Sequence, residues 1–252
     1  TVGYAELVER AKSRTPEWAE EITGIKAEDI RTLARELATI ESAAIRIGVA
    51  LERHHGGGQT IRAVCCIPAL TGAWRDVGGG IYQMPFWEHP YKMEVISQPD
   101  LIPEGTRVIS NIQIGRALLG EVHIDPPIKS MMCWNSNPVV QTPEADKIAE
   151  GLLREDLFLV SAEHFISDTA SFADIVLPAS MGAEMEDIIL SWGHNYLTYN
   201  TKCIESPGEA LSNREIFRRL ADRMGFKEDC FRWSDSECLE EFIDWDSPAC
   251  VG

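Results

Sequence analysis

The sequence predicts an α/β fold built around a parallel sheet, and three observations carry that expectation. Leu157 to Ser161 and Ile175 to Leu177 are short, continuous apolar runs closed by polar residues or proline, as strands covered on both faces are. Met131 to Trp134, an Asn-rich turn and a helical stretch lead straight into the first of these runs, giving the order strand, helix, strand. Ile30, Leu33, Ala34, Leu37 and Ile40 recur at helical spacing, an amphipathic face expected to cover a core. In parallel sheets ligands bind beyond the carboxyl ends of the strands, so Ala162, Glu163 and the segment after Pro178 become candidate binding loops.

Composition narrows the function classes. The 252 residues, 44% hydrophobic and 25% charged, suit a soluble globular protein of one large or two modest domains, in either cytoplasm or periplasm. With 23 Lys and Arg against 40 Asp and Glu the formal charge is −17, which argues against nucleic acid as a partner. An anionic ligand would have to be held locally, by backbone N–H groups and a few basic side chains. Seven cysteines include no CxxC pair and have no His at ligand spacing, so free thiols are expected rather than a zinc or iron–sulfur site. No apolar run approaches the roughly 18 residues of a membrane span, so no direct membrane insertion is expected. The opening at Thr1, without Met and already on the approach to a helix, reads as a piece of a longer protein.

In chain order, the residues up to Ile40 are predicted helical, with Thr15 as cap, Pro16 in the first helical position and Gly24 as the stop. AAIRIGVAL reads as a strand, and Gly56 to Gly58 open the next helix. That glycine run has two readings. It lets the backbone approach a phosphate, with Arg53, His54, His55 and Arg62 as local positive charge, or it is a flexible connection, the commoner use. It is neither a GxGxxG fingerprint nor a Walker A loop.

Arg75 to Asp125 reads as irregular, with Tyr82, Phe86, Trp87 and Tyr91 as candidates to pack against another domain. Within it, TRVISNIQIGRALLG is predicted to be a helix capped by Asn111 and ended by Gly120. After the strand Met131 to Trp134 comes the turn NSNP. Thr142 and Pro143 are expected to start the helix that carries Ile148, Leu152 and Leu153. The amides of Asn135 and Asn137 at a strand's carboxyl end suit a nucleobase, a pterin or a phosphate edge, or simply make the turn. A short helix is expected around Thr169 to Phe172. The acids Glu184, Glu186 and Asp187 read as a solvated turn, His194 as a packed or surface histidine, and the acidic tail as one more amphipathic helix through Leu239, Phe242 and Ile243.

Five segments in order resemble the molybdopterin oxidoreductases of the dimethyl sulfoxide reductase family: TPEWAEEITGIKAEDIRTLARELA, GVALERHHGGGQTIRAVCCIPALTGAWRDVGGG, WNSNPVVQTPEADKI, LFLVSAEHFISDTASFADIVLPASMGAEMED and SPGEALSNREIFRRLADRMGF. They run from Pro16 or just before it to Phe226. The resemblance implies a molybdenum or tungsten ion held by two molybdopterin guanine dinucleotides, in a subunit with two Rossmann-like, three-layer dinucleotide-binding α/β domains among four. On that scheme residues 1–75 are a helical start plus a strand–helix unit ending one α/β domain, 76–125 an irregular wrap, 126–226 the α/β cofactor-binding region and 227–252 an acidic helical tail.

The segments that supply the metal ligand, an iron–sulfur cluster in many members and the closing carboxyl-terminal domain have no counterpart here, so the chain is expected to be inactive alone. Its implied partners are the remaining domains of its own polypeptide and electron-transfer subunits. Carried over by position, Asn135, Ser136 and Asn137 correspond to the cofactor-facing turn, Glu163 to an acid that accepts from ligand N–H or O–H groups, and Ala162 to a position that is Ser in some relatives. Thr169 is a phosphate donor or a helix cap; Asn213 is a guanosine-side residue or the cap of the helix Arg214 to Met224. No catalytic residue and no metal ligand is expected within this stretch. Met185 and Asp187 depart from the Lys and Gly of nitrate-reductase-like members and point away from that subclass and from typical formate dehydrogenases. The competing class is a relative that kept the fold without the metal, as the large iron–sulfur subunit of respiratory complex I did.

Overall fold

A computed structural model describes residues 2–84 and 89–250, in two units, 1–84 and 85–252. In the first unit three helices lead: α1 (Tyr4–Lys12), α2 (Pro16–Thr23) and α3 (Ala27–Thr39). The Trp18 amide donates to Thr15 Oγ1 at 3.3 Å, Pro16 takes the first helical position, and Gly24 closes α2 at φ 73°. The Glu20 carboxylate then accepts from the Ala27 amide (2.8 Å), one of the donors a helix start leaves open.

Strands β1 (Ala44–Arg46) and β2 (Gly80–Tyr82) pair in parallel, with α4 (Gly57–Thr71) between them in the chain. The strand expected over AAIRIGVAL is only three residues long, because its partner is equally short; a single 3-10 turn, Leu51–Arg53, follows it. Nor does α3 cover a core: Leu33 and Ile40 are 57% and 61% exposed, and Ile30 and Leu37 only half-buried. Two three-residue strands offer too little apolar area to bury that face. Within the three-glycine run, Gly56 turns the chain at φ 79° and Gly57 is required by packing. A Cβ on Gly57 would stand 2.4 Å from the Leu51 carbonyl oxygen, so backbone crosses backbone where only glycine fits.

The second unit holds a three-stranded parallel sheet in the order β3 (Ser130–Trp134), β4 (Phe158–Glu163), β5 (Ile175–Pro178). Met131 stands opposite Leu159, and Val160 opposite Ile175. Short helices α5 (Met93–Ser97) and α6 (Ile114–Leu118) punctuate the stretch expected to be irregular. Phe86 and Trp87 lie outside the described residues. The α6 start is not capped by Asn111, which begins a 3-10 turn; Gln113 holds the cap position, while Gly120 ends the segment at φ 75° as expected.

The connection from β3 to β4 is two helices, α7 (Pro138–Gln141) and α8 (Ala145–Leu152). The predicted start at Thr142 and Pro143 is therefore wrong. Pro138 takes the first position of α7 and Thr142 its last cap, and the chain turns at Glu144, φ 59°, before α8. Leu153 falls beyond α8 and is 70% exposed. Between β4 and β5 the expected helix is one 3-10 turn, Ala170–Phe172.

Leu118, Ile148, Leu152, Leu157 and Leu159 form the core, with Ile114, Met131, Val139 and Phe172 against it. Close approach of α6 and α8 is possible because a Cβ on Gly151 would sit 2.5 Å from that of Leu118. Beyond β5 the chain makes an antiparallel hairpin of β6 (Asp187–Leu190) and β7 (Leu197–Asn200), then α9 (Asn213–Met224) and α10 (Asp235–Phe242). The acidic tail carries the expected helix over Leu239 and Phe242, closed at its start by a reciprocal Ser234–Glu237 capping box, while Ile243 lies just past it in extended conformation. The result is the α/β class the sequence predicts. Among the described residues no helix is long and apolar enough to cross a membrane, and no three His, Cys, Asp or Glu converge on a metal position.

A candidate binding site at the carboxyl edge of the sheet

Parallel pairing sends β3, β4 and β5 to the same edge, so Trp134, Glu163 and Pro178 end side by side. Leu211 bridges in parallel to Ala179, which brings the start of α9 to that edge as well. Asn135 leaves β3 at φ 52°, a left-handed conformation that asparagine tolerates better than most side chains. From there its Oδ1 accepts from Nδ2 of Asn213, 78 residues on, at 2.9 Å. Asn213 does not cap α9; the Ser212 hydroxyl does, accepting from the Glu215 amide. The Asn213 side chain is thus free to bond across to Asn135, and its own Oδ1 is buried without a partner among the described residues.

Thr169 is fully buried; it holds the N-cap position of the Ala170–Phe172 turn, but its side chain makes no capping bond there. Its hydroxyl donates to Asn137 Oδ1 (2.7 Å) and accepts from the Val139 amide (3.1 Å), while its own amide donates to the same Asn137 oxygen (3.1 Å). Asn137 and Thr169 therefore brace the two turns against each other. Ser136 Oγ stands 3.5 Å from Gln141 Oε1, and Ala162 is buried beneath the edge. Glu163 is half-buried, with one carboxylate oxygen accepting from the His164 amide (2.9 Å) and the other without a hydrogen bond among those described. Burial, helped by the Glu163 charge, pushes the pKa of the Cys133 thiol on the neighbouring strand upward. Beside Asn213 opens a pocket of about 410 Å³ walled by Trp134, Phe217, Phe231 and Trp233. Trp134 meets Phe217 edge-on, with ring centroids 4.9 Å apart.

Two groups escape sequence reasoning. His164 Nε2 pairs with the Ser180 carbonyl at 3.0 Å, tying the β4 and β5 exits together. Arg214 carries the second. Its guanidinium reaches the Glu186 carbonyl, Asp187 Oδ1 (3.3 Å) and Asp235 Oδ1 (3.2 Å), and Arg218 also bonds Asp235. Glu186 further accepts from Ser236 (3.1 Å) and Glu184 from the Met181 amide (3.1 Å), so the three acids are partnered, half-buried anchors rather than a solvated turn. Burial would raise the Asp235 pKa, but hydrogen bonds and charges from Arg214 and Arg218 outweigh it and hold the carboxyl below its ordinary range. The available signal was an arginine in the first turn of a helix, where the macrodipole disfavours a cation unless acids surround it. His194 Nδ1 accepts from the Tyr196 amide (3.1 Å) in the hairpin turn.

A family model described as molybdopterin oxidoreductase matches residues 15–223. The chain is 40% identical over 245 residues to the Bacillus subtilis (strain 168) protein described as probable oxidoreductase YoaE, covering 97% of this chain and 36% of that protein. It is 28% identical to the dimethyl sulfoxide reductase DmsA of Escherichia coli (strain K12), over 92% of this chain and 30% of the relative. Acetylene hydratase from Pelobacter acetylenicus superposes with a TM-score of 0.71 and 25% identity over 96% of this chain and 38% of its own. The chain thus spans about a third of the length of these relatives. With the matched segment holding both the sheet and the edge described above, the chain belongs to the molybdopterin oxidoreductase family.

Proposed function

We propose that this chain forms part of the wall that holds a bis-molybdopterin guanine dinucleotide cofactor in a longer molybdenum- or tungsten-dependent enzyme. The family implies the molybdopterin cofactor; the guanine dinucleotide form rests on the edge chemistry. The observation that carries the reading is the Asn135–Asn213 amide pair at the carboxyl edge, with Asn213 Oδ1 buried and lacking a donor. A guanine edge presents both N–H donors and carbonyl or ring-nitrogen acceptors, and two amides plus a carboxylate complement that set. Glu163 would repel phosphate, so it faces the base or the sugar hydroxyls. Asn137 and Thr169 act indirectly, by fixing the turn from which Asn135 projects.

When bound, the cofactor supplies the reacting metal; the residues here bind and orient one nucleotide end. Catalytic residues and the metal ligand belong to the rest of the longer protein, along with any electron-transfer subunits, and the isolated chain is inactive. The relatives' names span oxidoreductase and hydratase, so the fold alone does not select the reaction.

Calorimetric titration of the chain with guanosine diphosphate tests the reading. Binding should exceed that of adenosine diphosphate, and Asn213→Ala and Glu163→Gln should each weaken it roughly tenfold, about 1.4 kcal/mol. Equal affinity for both nucleotides, or variants that bind like the parent, would overturn it.

A further inference from the structure

A cavity of about 910 Å³, more than twice the pocket beside Asn213, lies between the β6–β7 hairpin and α10. Its wall contains Tyr196, Tyr199 and Trp245, each at least half exposed, above apolar Leu239 and Ile243, which are buried. Three large rings gathered in water around one hollow mark a binding surface. Trp245 is held there by its Nε1, which donates to the Glu240 backbone carbonyl at 3.1 Å, and Glu240, an exposed residue, also lines the hollow. Behind the wall, the Glu186 carboxylate accepts from Ser236 (3.1 Å) and pairs with the Tyr199 hydroxyl.

Charge decides what the hollow takes. Among the described residues, neither Lys nor Arg lines it, and His89 is the one ionisable base. The one acid among its described lining residues is Glu240, which lies in the stretch Glu228 to Asp246, where eight acids accompany a single arginine. A concave surface lined by one sign of charge concentrates the opposite ion. Aromatic rings beside a carboxylate are the combination that holds organic ammonium groups, through the ring quadrupole and the ion pair together. We propose that this cavity binds a small organic ammonium cation with an aromatic or branched apolar body. The rings, Leu239 and Ile243 take the body; Glu240 takes the charge. The inference stands on the hairpin and α10 and is independent of the nucleotide reading.

The test is calorimetric titration of the 252-residue chain, above the ordinary histidine titration range, with phenethylammonium, phenethyl alcohol and 3-phenylpropionate, which share a ring and differ in charge. Phenethylammonium should bind at least about tenfold tighter than either of the others. Glu240→Gln, a change at the rim, should weaken the ammonium several-fold and leave the alcohol unchanged, and Tyr196→Ala should weaken both. Equal affinity for all three, no binding of phenethylammonium, or a Glu240→Gln chain with the parent's preference would overturn the proposal. Should Tyr196→Ala not fold, the comparison of the parent with Glu240→Gln decides alone.

Discussion

Thr169 stands behind the candidate edge and braces the turns that form it. Its hydroxyl is both donor and acceptor inside the protein, linking the turn after β3 to the turn before β5. Replacing it with isosteric valine removes both bonds and leaves the partly buried Val139 amide without that partner. Such a loss costs about 1–3 kcal/mol, which for a chain of this size lowers the unfolding temperature by about 2–4 °C per kcal/mol. Thr169→Val should show that drop by circular dichroism, and an unchanged transition would mean the brace is dispensable. At this scale the sequence marks polar residue types at strand ends but not their partners. Asn213 and Asn135 are 78 residues apart, and nothing local distinguishes an asparagine that caps a helix from one that bonds across to another turn.

Among elements, the Arg214–Asp187–Asp235–Arg218 cluster ties β6, α9 and α10 together. Asp235 has a folded-state pKa below its unfolded value, so its contribution is present above the unfolded pKa and is lost as pH falls through the folded one. Acid titration should therefore loosen this region below about pH 4. Asp235→Asn should flatten the acid limb of the stability curve and lower stability near neutrality, since it leaves Arg214, half-buried, short of its main counter-charge. Measuring denaturant midpoints from pH 3 to 7, roughly the carboxylate range and above, would check this; parallel curves for parent and variant would refute it. The β6–β7 hairpin and β2 were not foreseen, Asp187 being read as part of a turn, but the three strands of the parallel sheet were legible, because short apolar runs closed by polar residues or proline have few alternatives. Helix starts were less so: Thr142–Pro143 has the right residue types, but Pro138 four residues earlier also fits a first helical position, and the packing of Ile148 and Leu152 against Leu118 put the longer helix at Ala145.

For the whole chain, the −17 charge is the dominant long-range term. Most ion pairs among the described residues are exposed, such as Lys12–Glu9 and Arg35–Glu28, and pairs of that kind contribute little. Self-repulsion among 40 acids outweighs their loss on screening. Stability should rise as ionic strength increases from about 0.01 M to 0.15 M, where the screening length shortens from about 30 Å to 8 Å. Urea midpoints at the two salt concentrations test this, and a lower midpoint at high salt would show that ion pairs dominate instead.

The sequence by itself determined the α/β class, the three strands of the parallel sheet and, through five segments in order, the family. These depend on residue pattern over short windows, where hydrophobic period and turn chemistry act locally. Tertiary structure alone decided which polar groups meet: Asn213 with Asn135, Thr169 with Asn137, Arg214 with Asp235, and the aromatic hollow between the hairpin and α10. It also decided what stays uncovered, as the α3 face shows. Hydrogen-bond geometry is satisfied only within about 3.2 Å, and no window of sequence can state which residues the folded chain will bring that close.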